Sequence, residues 1–285
     1  MKNRVLITGA EGFIARNIIQ ELKHKVEFIK VSRKSHYKIT NLLSFENLKN
    51  IDIAIHCAAK TFIPDSFTNP YKFYHFNINS SLKVAEFCRL KKIKTLIFIN
   101  AYPYGIPKYL PIDEKHPLEP HSPYNSSKII SEKLLIDYLN DTTNVISLRV
   151  FNVYGQYQNK NFLIPKVIKQ IKNNEEIKLN DLRPKRDFLY IKDLVRLIEN
   201  ILISNSTSGV FNVGFGKSYS IEEIVKIISK LIQKDCKIQS LNKYRNNEIL
   251  DLYSNIEKVY KHFNWSPSYS LEDGLSDYLK TENIK

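Results

Sequence analysis

The sequence predicts an α/β fold, a doubly wound parallel sheet with a smaller mixed α/β lobe. Two observations predict it. Apolar, strand-like runs alternate with helical patterns over roughly the first 155 residues, which is typical of strands paired in parallel through right-handed crossovers. The first run is also followed at once by a turn with two glycines, Gly9 and Gly12, and then by a helix. Strand, glycine turn and helix in this order indicate the start of such a sheet.

The predicted elements of the sheet follow the chain in order. Residues 4–7 are rich in branched apolar side chains, which predicts the first strand, and apolar residues recur at helical spacing over 14–22. The same reasoning predicts further strands at 26–31, 51–57, 95–99 and 144–150, with helices at 71–90 and from residue 124 onward.

Elements beyond residue 154 are shorter and less regular, which predicts a second lobe. We divide the chain into a first domain of residues 1–153 plus 188–214 and a second lobe of residues 154–187 plus 215–285. Ligands of open α/β sheets bind beyond the carboxyl ends of the strands, where we expect the second lobe to share a cleft with the sheet. The predicted elements in this part are helices at 164–172, from 193 and from 221, and a strand at 210–213.

Composition excludes several classes of protein. The 285 residues include 43 Lys and Arg against 29 Asp and Glu, a formal charge of +14, but the lysines are spread at spacings that suit solvated helix faces. With no nucleic-acid-binding motif visible, we expect no nucleic-acid partner. We expect a cytoplasmic protein without a membrane partner, because neither a membrane-spanning apolar run nor a secretion signal is visible. Cys57, Cys88 and Cys236 lack metal-site or disulfide spacing, so we also expect no metal.

The glycine turn has a direct chemical use. Gly9 permits the tight turn, and Gly12 lets the first N–H groups of the helix approach a pyrophosphate. The third small residue of the pattern is Ala15, which still allows close packing of the helix. The alternative is a merely structural turn, but the chain has only eight glycines and two of them stand here.

A second pattern begins the helix after residue 122. Ser122 suits the N-cap and Pro123 the first helical position, so Tyr124 and Lys128 fall one turn apart on the same face. An ammonium beside a phenol favours the phenolate and brings the tyrosine closer to useful acid–base strength, while the same lysine can hold a ribose hydroxyl. The alternative is an exposed helix start that happens to carry both residues.

With these two patterns together, the sequence resembles the extended short-chain dehydrogenase/reductase family, in its branch of NAD(P)-dependent nucleotide-sugar epimerases, dehydratases and reductases. The resemblance covers essentially the whole chain, and its motifs occur in the family's order. Residues 8–14 resemble TGxxGFI, 55–59 IHxAA, 77–81 NVxGT, 124–128 YxxxK, 149–155 LRxFNxYG, 186–188 RDF, 211–214 FNVG and 265–267 WxP.

The resemblance implies a Rossmann domain that binds a dinucleotide and a lobe that binds the substrate. Tyr124 would donate or accept the proton at the sugar carbon that is reduced or oxidised, with Lys128 on the nicotinamide ribose and lowering the tyrosine pKa. The implied cofactor-binding residues are Gly9, Gly12, Phe13, Ile14, Ser32, Arg33, Asn41, Leu42, Ala58, Ala59, Lys60, Tyr124, Lys128 and Phe151. The implied substrate-binding residues are Ala101, Tyr102, Asn152, Leu163, Arg186 and Arg245.

Two arginines in the second set carry the implied diphosphate site. The fork of a guanidinium suits phosphate oxygens better than the point charge of a lysine does. Only nine residues of the chain are arginine, and Arg186 and Arg245 stand where the family grips the diphosphate. The alternative for each is a surface ion pair, with Asp187 or Glu248.

One position departs from the family pattern. Where members carry Ser or Thr, four residues before the tyrosine of a YG pair, this chain has Asn100. An amide can donate a hydrogen bond to a ketone oxygen but cannot pass a hydroxyl proton onward. We expect Asn100 to polarise the ketone as a third catalytic residue. The alternatives are that Tyr102 replaces the serine or that catalysis is impaired.

Two further departures narrow the reaction. Dehydratases of this branch carry an acidic pair where this chain has Ala101 and Tyr102, so we expect no dehydration. NAD-specific members place an Asp at the end of the second strand, where this chain has Ser32, Arg33 and Lys34. A carboxylate would repel a 2′-phosphate, whereas Ser32 and Arg33 could bind it, so we expect NADP(H) rather than NAD.

The sequence therefore predicts NADPH-dependent reduction of the ketone of a nucleotide-linked 4-keto-6-deoxy sugar, dTDP- or GDP-linked, in surface polysaccharide biosynthesis. Two alternatives stay open. One is an NAD-dependent nucleotide-sugar 4-epimerase, and the other, motivated by Asn100, is a non-catalytic dinucleotide-binding sensor. Family members commonly dimerise through two helices per subunit, so the resemblance also implies a homodimer.

Overall fold

The helices and strands are defined by a computed structural model that describes residues 3–44, 48–173, 176–204, 207–244 and 248–282. The strands are β1 Asn3–Thr8, β2 Val26–Val31, β3 Ile53–His56, β4 Thr95–Ala101, β5 Asn144–Val150, β6 Asn152–Tyr154, β7 Ile177–Leu179, β8 Lys185–Tyr190, β9 Gly209–Val213, β10 Ser218–Ser220 and β11 Ile238–Ser240. The helices are α1 Phe13–Leu22, α2 Ile63–Thr68, α3 Pro70–Lys91, α4 Pro123–Leu139, α5 Leu163–Lys172, α6 Ile191–Ile203, α7 Ile221–Ile232, α8 Glu257–Phe263 and α9 Leu271–Thr281.

Six strands form one sheet in the order β2-β1-β3-β4-β5-β9, and the first five pair in parallel with their neighbours. The chain runs from β1 outward to β2 and then returns to β3 on the other side of β1. Sheets of this kind bind ligands at such a reversal, beyond the carboxyl ends of the strands. The predicted α/β fold with a doubly wound parallel sheet is therefore confirmed.

Helix α4 begins as the sequence predicts. The Oγ atom of Ser122 accepts the N–H of Asn125 at 3.1 Å, and Pro123 occupies the first helical position. Apolar residues of α4 and α3 are buried against the sheet, where Leu135 and Val84 belong to one hydrophobic cluster with residues of β4. This packing fixes the helix that carries the predicted catalytic pair.

The chain forms two compact units. The first comprises residues 1–105, 117–150 and 197–212, and the second comprises residues 106–116, 151–196 and 213–285. The second unit contains a three-stranded sheet, β10-β8-β6, and a two-stranded sheet, β11-β7. Its C-terminal part is anchored at Trp265, which is fully buried and donates its indole N–H to the carbonyl of Asp193 at 3.0 Å.

The boundaries of these units differ from the predicted ones in four places: the short segments 151–153 and 213–214 and two longer segments lie in the second unit instead of the first. Residues 106–116 belong to the second unit, because Ile112 exchanges backbone hydrogen bonds with Tyr253 and Asn255, at 3.0 and 2.7 Å. Residues 188–196 belong there too, since β8 continues to Tyr190 and pairs with β6 and β10. The two longer differences arise from pairing between segments far apart in sequence, which local patterns do not indicate.

Two structural features are absent from the part of the chain that the structure describes. None of its helices is long and apolar enough to cross a membrane. None of its groups of His, Cys, Asp and Glu side chains is arranged to hold a metal ion. The three cysteines are free thiols.

Candidate active site

The glycine turn between β1 and α1 has a backbone that favours glycine. Gly9 has a φ of +69°, and a Cβ atom there would lie 2.9 Å from the backbone nitrogen and Cα of Ala58. The turn closes where the N–H of Gly12 donates to the carbonyl of Gly9 at 2.7 Å. Glycine at position 9 therefore meets two requirements, a left-handed backbone and a close approach to the segment that follows β3.

This turn fits the pyrophosphate of a dinucleotide. Gly12 is the N-cap of α1 and has no side chain, so it leaves the first N–H groups of the helix, those of Phe13 and Ile14, to an external acceptor. The first helical turn carries no carboxylate, and the helix dipole favours an anion there. Ala58, half-buried beside Gly9, adds only a methyl group to the surroundings of the turn.

A buried hydrogen-bond chain fixes the ends of β1 and β3 beside this turn. The ring of His56 bonds Thr8 Oγ1 through Nδ1 at 2.7 Å and Ser81 Oγ through Nε2 at 3.0 Å. Thr8 Oγ1 also accepts the N–H of Ala58 at 3.2 Å. Burial, and then the charge of Lys128, lowers the pKa of His56 to about 3. The imidazole is therefore neutral at neutral pH and holds the strand ends together.

Asn77 connects the segment after β3 to α4. Its Oδ1 accepts the N–H of Lys60 at 2.8 Å, and its Nδ2 donates to the carbonyl of Lys60 at 3.2 Å and to Ser127 Oγ at 2.9 Å. One buried side chain thus holds the predicted cofactor segment, which also includes half-buried Ala59, against the helix that carries the predicted catalytic pair. The sequence places Asn77 in a family motif but does not indicate this role.

The end of β2 forms a tight turn with an arginine at its tip. Ser32 Oγ accepts the backbone N–H groups of Lys34 and Ser35 at 3.2 and 3.0 Å. The side chain of Arg33, between them, is exposed. The structure therefore presents a guanidinium where the sequence predicts the 2′-phosphate, on a turn whose backbone is held by Ser32.

The two predicted adenine-side residues differ in exposure. Asn41 is exposed, and its Oδ1 accepts the N–H of Lys38 at 3.3 Å. Leu42 is fully buried in the main hydrophobic cluster. A leucine packed in the core offers only its backbone to a ligand, and the assignment of Leu42 to the cofactor site stays a prediction.

Tyr124 and Lys128 lie one turn apart on α4, as the spacing predicts. Lys128 is buried, and its Nζ donates to the carbonyl of Ile99 at 2.9 Å and lies 3.9 Å from the ring centroid of Phe98. Burial lowers the pKa of Lys128 to about 7, and the neighbouring side chains of Cys57 and Glu132 act in the opposite direction. The amine therefore titrates near neutral pH.

The pKa of Tyr124 differs from the expected one. Burial raises it above the ordinary value for tyrosine, and Tyr102 adds to the increase. The lowering by Lys128 that the spacing predicts is not found; the ammonium of Lys128 donates to the carbonyl of Ile99. Tyr124 is therefore a protonated phenol at neutral pH.

The structure pairs Asn100 with Glu132. Asn100 is buried, its Nδ2 donates to Glu132 Oε2 at 2.8 Å, and its Oδ1 accepts the next backbone N–H at 2.9 Å. Half-buried Tyr102, by contrast, lies beside the start of α4, where Asn125 Nδ2 donates to its carbonyl at 3.1 Å. Of the two candidates for the family's Ser or Thr, Asn100 is engaged by Glu132, while Tyr102 contributes to the raised pKa of Tyr124.

Glu132 is a residue that the sequence analysis missed, together with its partner Arg149. The two side chains form a buried ion pair between α4 and β5. The signal was present, because Glu132 follows Lys128 by one more helical turn and extends the Tyr124–Lys128 face of α4. Half-buried Ala101 ends β4 next to this group.

The second unit holds most of the predicted substrate residues. Asn152 is half-buried and its Nδ2 donates to the carbonyl of Asp187 at 3.1 Å. Leu163, also half-buried, is the first residue of α5. Phe151, predicted on the cofactor, is buried in the same unit, and its N–H donates to the carbonyl of Val213 at 2.8 Å.

Arg186 makes the ion pair that the sequence analysis left open as an alternative. Its Nη2 lies 2.6 Å from Glu248 Oε1, and its Nη1 donates to the carbonyl of Ile249 at 2.6 Å. About a fifth of its side chain, 18%, stays exposed. Arg245, the second predicted diphosphate ligand, lies outside the described residues.

Comparison with known proteins places this geometry in a family. Residues 5–214 match the NAD dependent epimerase/dehydratase family. The chain is 28% identical over 245 residues to GDP-6-deoxy-D-talose 4-dehydrogenase of Aggregatibacter actinomycetemcomitans, covering 83% of this chain and 82% of that protein. It is 25% identical over 316 residues to UDP-glucose 4-epimerase of Lactobacillus helveticus, covering 95% and 94%.

A solved structure agrees with these matches. UDP-N-acetylglucosamine 4-epimerase from Methanobrevibacter ruminantium M1, in complex with UDP-N-acetylmuramic acid, superposes with a TM-score of 0.87. It is 28% identical in sequence, and the alignment covers 98% of each chain. The similarity therefore extends over both units and includes the second unit beyond the family match.

Proposed function

This chain belongs to the NAD dependent epimerase/dehydratase family, as the resemblance of its motifs implied, and on that premise we propose that it is an NADPH-dependent 4-ketoreductase. Its substrate would be a nucleotide-linked 4-keto-6-deoxy sugar, dTDP- or GDP-linked, from surface polysaccharide biosynthesis. The relative that acts on a GDP-linked 6-deoxy sugar at its 4-position supports this substrate class.

The proposed chemistry uses side chains of the first unit. A reduced nicotinamide, when bound, supplies the hydride that reaches the ketone carbon. Tyr124 donates its phenolic proton to the ketone oxygen, so the carbonyl becomes a secondary alcohol and the phenol becomes a phenolate. Lys128, one helical turn away on α4, would hold a hydroxyl of the nicotinamide ribose. The phenol of Tyr124 is protonated at neutral pH, as this step requires.

The proposal depends most on one observation, the turn at the end of β2. A carboxylate there would favour the ribose hydroxyls of NAD, whereas Ser32 and exposed Arg33 suit a 2′-phosphate. Reductases of this kind consume an exchangeable cofactor, which fits NADPH. Ala101 and Tyr102, in place of an acidic pair, further favour reduction over dehydration.

Arg33→Ala tests the cofactor assignment. We expect KM for NADPH to rise about tenfold or more, because a charge-assisted hydrogen bond to phosphate is lost, with kcat and the KM for NADH nearly unchanged. The measurement is steady-state kinetics with both cofactors. Lys30→Ala, which removes an exposed lysine from β2 itself, is the matched control and should change neither. Equal losses for NADPH and NADH in Arg33→Ala would contradict the assignment.

The second hydrogen-bond donor to the ketone can be identified by two variants. If Tyr102 is that donor, Tyr102→Phe lowers kcat about a hundredfold, the cost typical of one lost oxyanion contact. Asn100→Ala then lowers stability by about 1–3 kcal/mol, because it removes a buried hydrogen bond to Glu132, with a smaller effect on kcat. The original expectation for Asn100 requires the reverse pattern. Unchanged turnover in Asn100→Ala would remove Asn100 from catalysis.

Two alternatives remain, and one assay separates all three functions. Purified protein is incubated with dTDP- and GDP-linked 4-keto-6-deoxy sugars and either NADPH or NADH while nicotinamide absorbance is followed, and in parallel with nucleotide sugars that carry a 4-hydroxyl group, whose 4-epimers are then separated. Oxidation of NADPH that depends on a keto sugar supports the reductase. NAD retained through purification, with interconversion of 4-epimers, would instead support a nucleotide-sugar 4-epimerase. Cofactor binding without turnover on any substrate would support a non-catalytic sensor.

We also propose that the protein is a homodimer through α3 and α4. Both helices expose apolar side chains, Leu82 and Leu90 on α3 and Ile130 and Tyr138 on α4. Two helices per subunit with such faces suit a helix-packed interface.

A further inference from the structure

A buried polar network surrounds the carboxylate of Glu132, one helical turn beyond Lys128. Arg149 approaches it with two nitrogens, Nη2 at 2.6 Å from Oε1 and Nε at 3.2 Å from Oε2. Ser147 Oγ donates to Oε2 at 2.5 Å, and Asn100 Nδ2 donates to the same oxygen at 2.8 Å. Four hydrogen bonds from β4 and β5 thus converge on one carboxylate of α4.

The network continues through Arg149 to another part of the first unit. Its Nη1 donates to the hydroxyl of Tyr104 at 3.0 Å, and that hydroxyl donates to Asn212 Oδ1 at 2.5 Å. Arg149, Tyr104 and Asn212 are buried. They belong to the LRxFNxYG, YG and FNVG motifs, respectively. The proposed reaction gives none of these three residues a role. This network connects strands β4, β5 and β9 to the face of α4 that carries Tyr124, Lys128 and Glu132.

The neighbour of Glu132 on this face is Lys128. Lys128 lies in a buried site with Phe98 under its ammonium and the carbonyl of Ile99 as acceptor. The charged and titratable groups that face it are Cys57 after β3, His56 at the end of β3, and Glu132 on α4.

At neutral pH these groups do not stabilise the protonated form of the Lys128 amine equally, because they differ in charge. His56 is neutral, and burial raises the pKa of Cys57 to about 12, so the thiol is protonated. Glu132, paired with a guanidinium that is always charged, supplies the negative charge on this side of the lysine.

We propose that Glu132 is a positioning residue of the catalytic helix: its carboxylate, held by Arg149, Ser147 and Asn100, fixes α4 on the strand ends and keeps Lys128 cationic. Asn100, at the family's Ser or Thr position, serves this network. The inference rests on the proposed function of Lys128, but it concerns a property of the protein without substrate. It accounts for an amide at position 100, since Nδ2 reaches the carboxylate of the neighbouring helix.

The test follows the titration of Lys128 in the free protein. The 13Cε resonance of Lys128, assigned with Lys128→Arg, is recorded against pH, with a wild-type midpoint near 7. In Glu132→Gln we expect this midpoint to move to lower pH, because the negative charge beside the ammonium is gone. In wild type and in Glu132→Gln, the affinity for NADPH should decline with rising pH. The pH at which half of this decline has occurred should be lower in Glu132→Gln, in parallel with the midpoint of the Lys128 titration.

A double variant separates electrostatics from folding. Glu132→Gln leaves Arg149 buried without its partner, so Glu132→Gln/Arg149→Met removes both charges and is expected to fold. The lysine midpoint should be lower in this protein than in Arg149→Met alone, because the two proteins share the loss of the guanidinium and differ only in the carboxylate at position 132. Asp137→Asn, which breaks the exposed Lys133–Asp137 pair on the same helix, is the matched control and should leave the midpoint unchanged.

The outcomes distinguish the two proposals. A midpoint in the double variant equal to that of Arg149→Met would overturn the role of Glu132 and leave it only as the counter-charge of Arg149. A lowered midpoint together with no turnover on any keto sugar would support the role of Glu132 while refuting the reductase. A lowered midpoint with a parallel shift of the pH profile of kcat supports both.

Discussion

Tyr124→Phe is expected to lower kcat roughly 10²–10⁴-fold, the range for loss of a general acid. The substitution removes only the hydroxyl, so a half-buried ring of the same shape keeps α4 packed and the cofactor affinity nearly unchanged. Steady-state turnover of the keto sugar, with NADPH titrated by fluorescence, measures the two effects separately.

A second tyrosine on the same helix provides the control. Tyr138 is exposed, and its hydroxyl donates to Glu86 Oε2 at 2.7 Å. Tyr138→Phe therefore removes one hydroxyl from α4 without touching the proposed proton donor, and we expect kcat within about twofold of wild type. If Tyr124→Phe kept wild-type turnover, another group would have to donate the proton, and the assignment would be lost.

Gly9→Ala is expected to cost about 2–5 kcal/mol of folding stability and to abolish measurable cofactor binding. The cost combines a left-handed backbone that alanine disfavours with a methyl group 2.9 Å from the backbone of Ala58. Because Ala58 cannot move without disturbing its bond to Thr8, the strain acts directly on the pyrophosphate turn. Thermal unfolding and NADPH titration measure the two losses.

Substitution of Gly216 separates the cost of a left-handed backbone from the cost of a close contact such as that with Ala58. Gly216 also has a positive φ, +84°, but an added Cβ there would meet its nearest atoms at 3.6–3.8 Å, which is ordinary contact. Gly216→Ala should therefore cost only the backbone term, about 1–2 kcal/mol. A loss in Gly9→Ala no larger than in Gly216→Ala would show that the approach to Ala58 is not limiting.

Elements defined by local pattern could be predicted closely from the sequence. The strands predicted at 26–31 and 144–150 have these bounds in the structure, as β2 and β5. Strand β4 was predicted to end at residue 99 but continues to Ala101, pairing Asn100 with Arg149. A polar residue does not indicate a buried strand position unless its partner is known, and here the partner, Glu132, is distant in sequence.

The same distinction applies to the candidate site. The glycine turn and the Tyr124–Lys128 spacing are contained in single short segments, so their placement could be predicted. The direction of Lys128 toward Ile99, the pairing of Asn100 with Glu132 and that of Arg186 with Glu248 depend on contacts between separate elements. Residue type alone predicted a charge or a donor at each position, but not the group that receives it.

Asn77 joins the segment after β3 to α4 through its side-chain hydrogen bonds, and these bonds restrict substitution more in one segment than in the other. Asn77 holds Lys60 only through backbone atoms, whereas it holds Ser127 through the side-chain hydroxyl. Position 60 can therefore accept almost any residue while the loop keeps its shape, and position 127 cannot. A lineage could vary the side chain at position 60 of the predicted cofactor segment without loosening the helix that carries Tyr124.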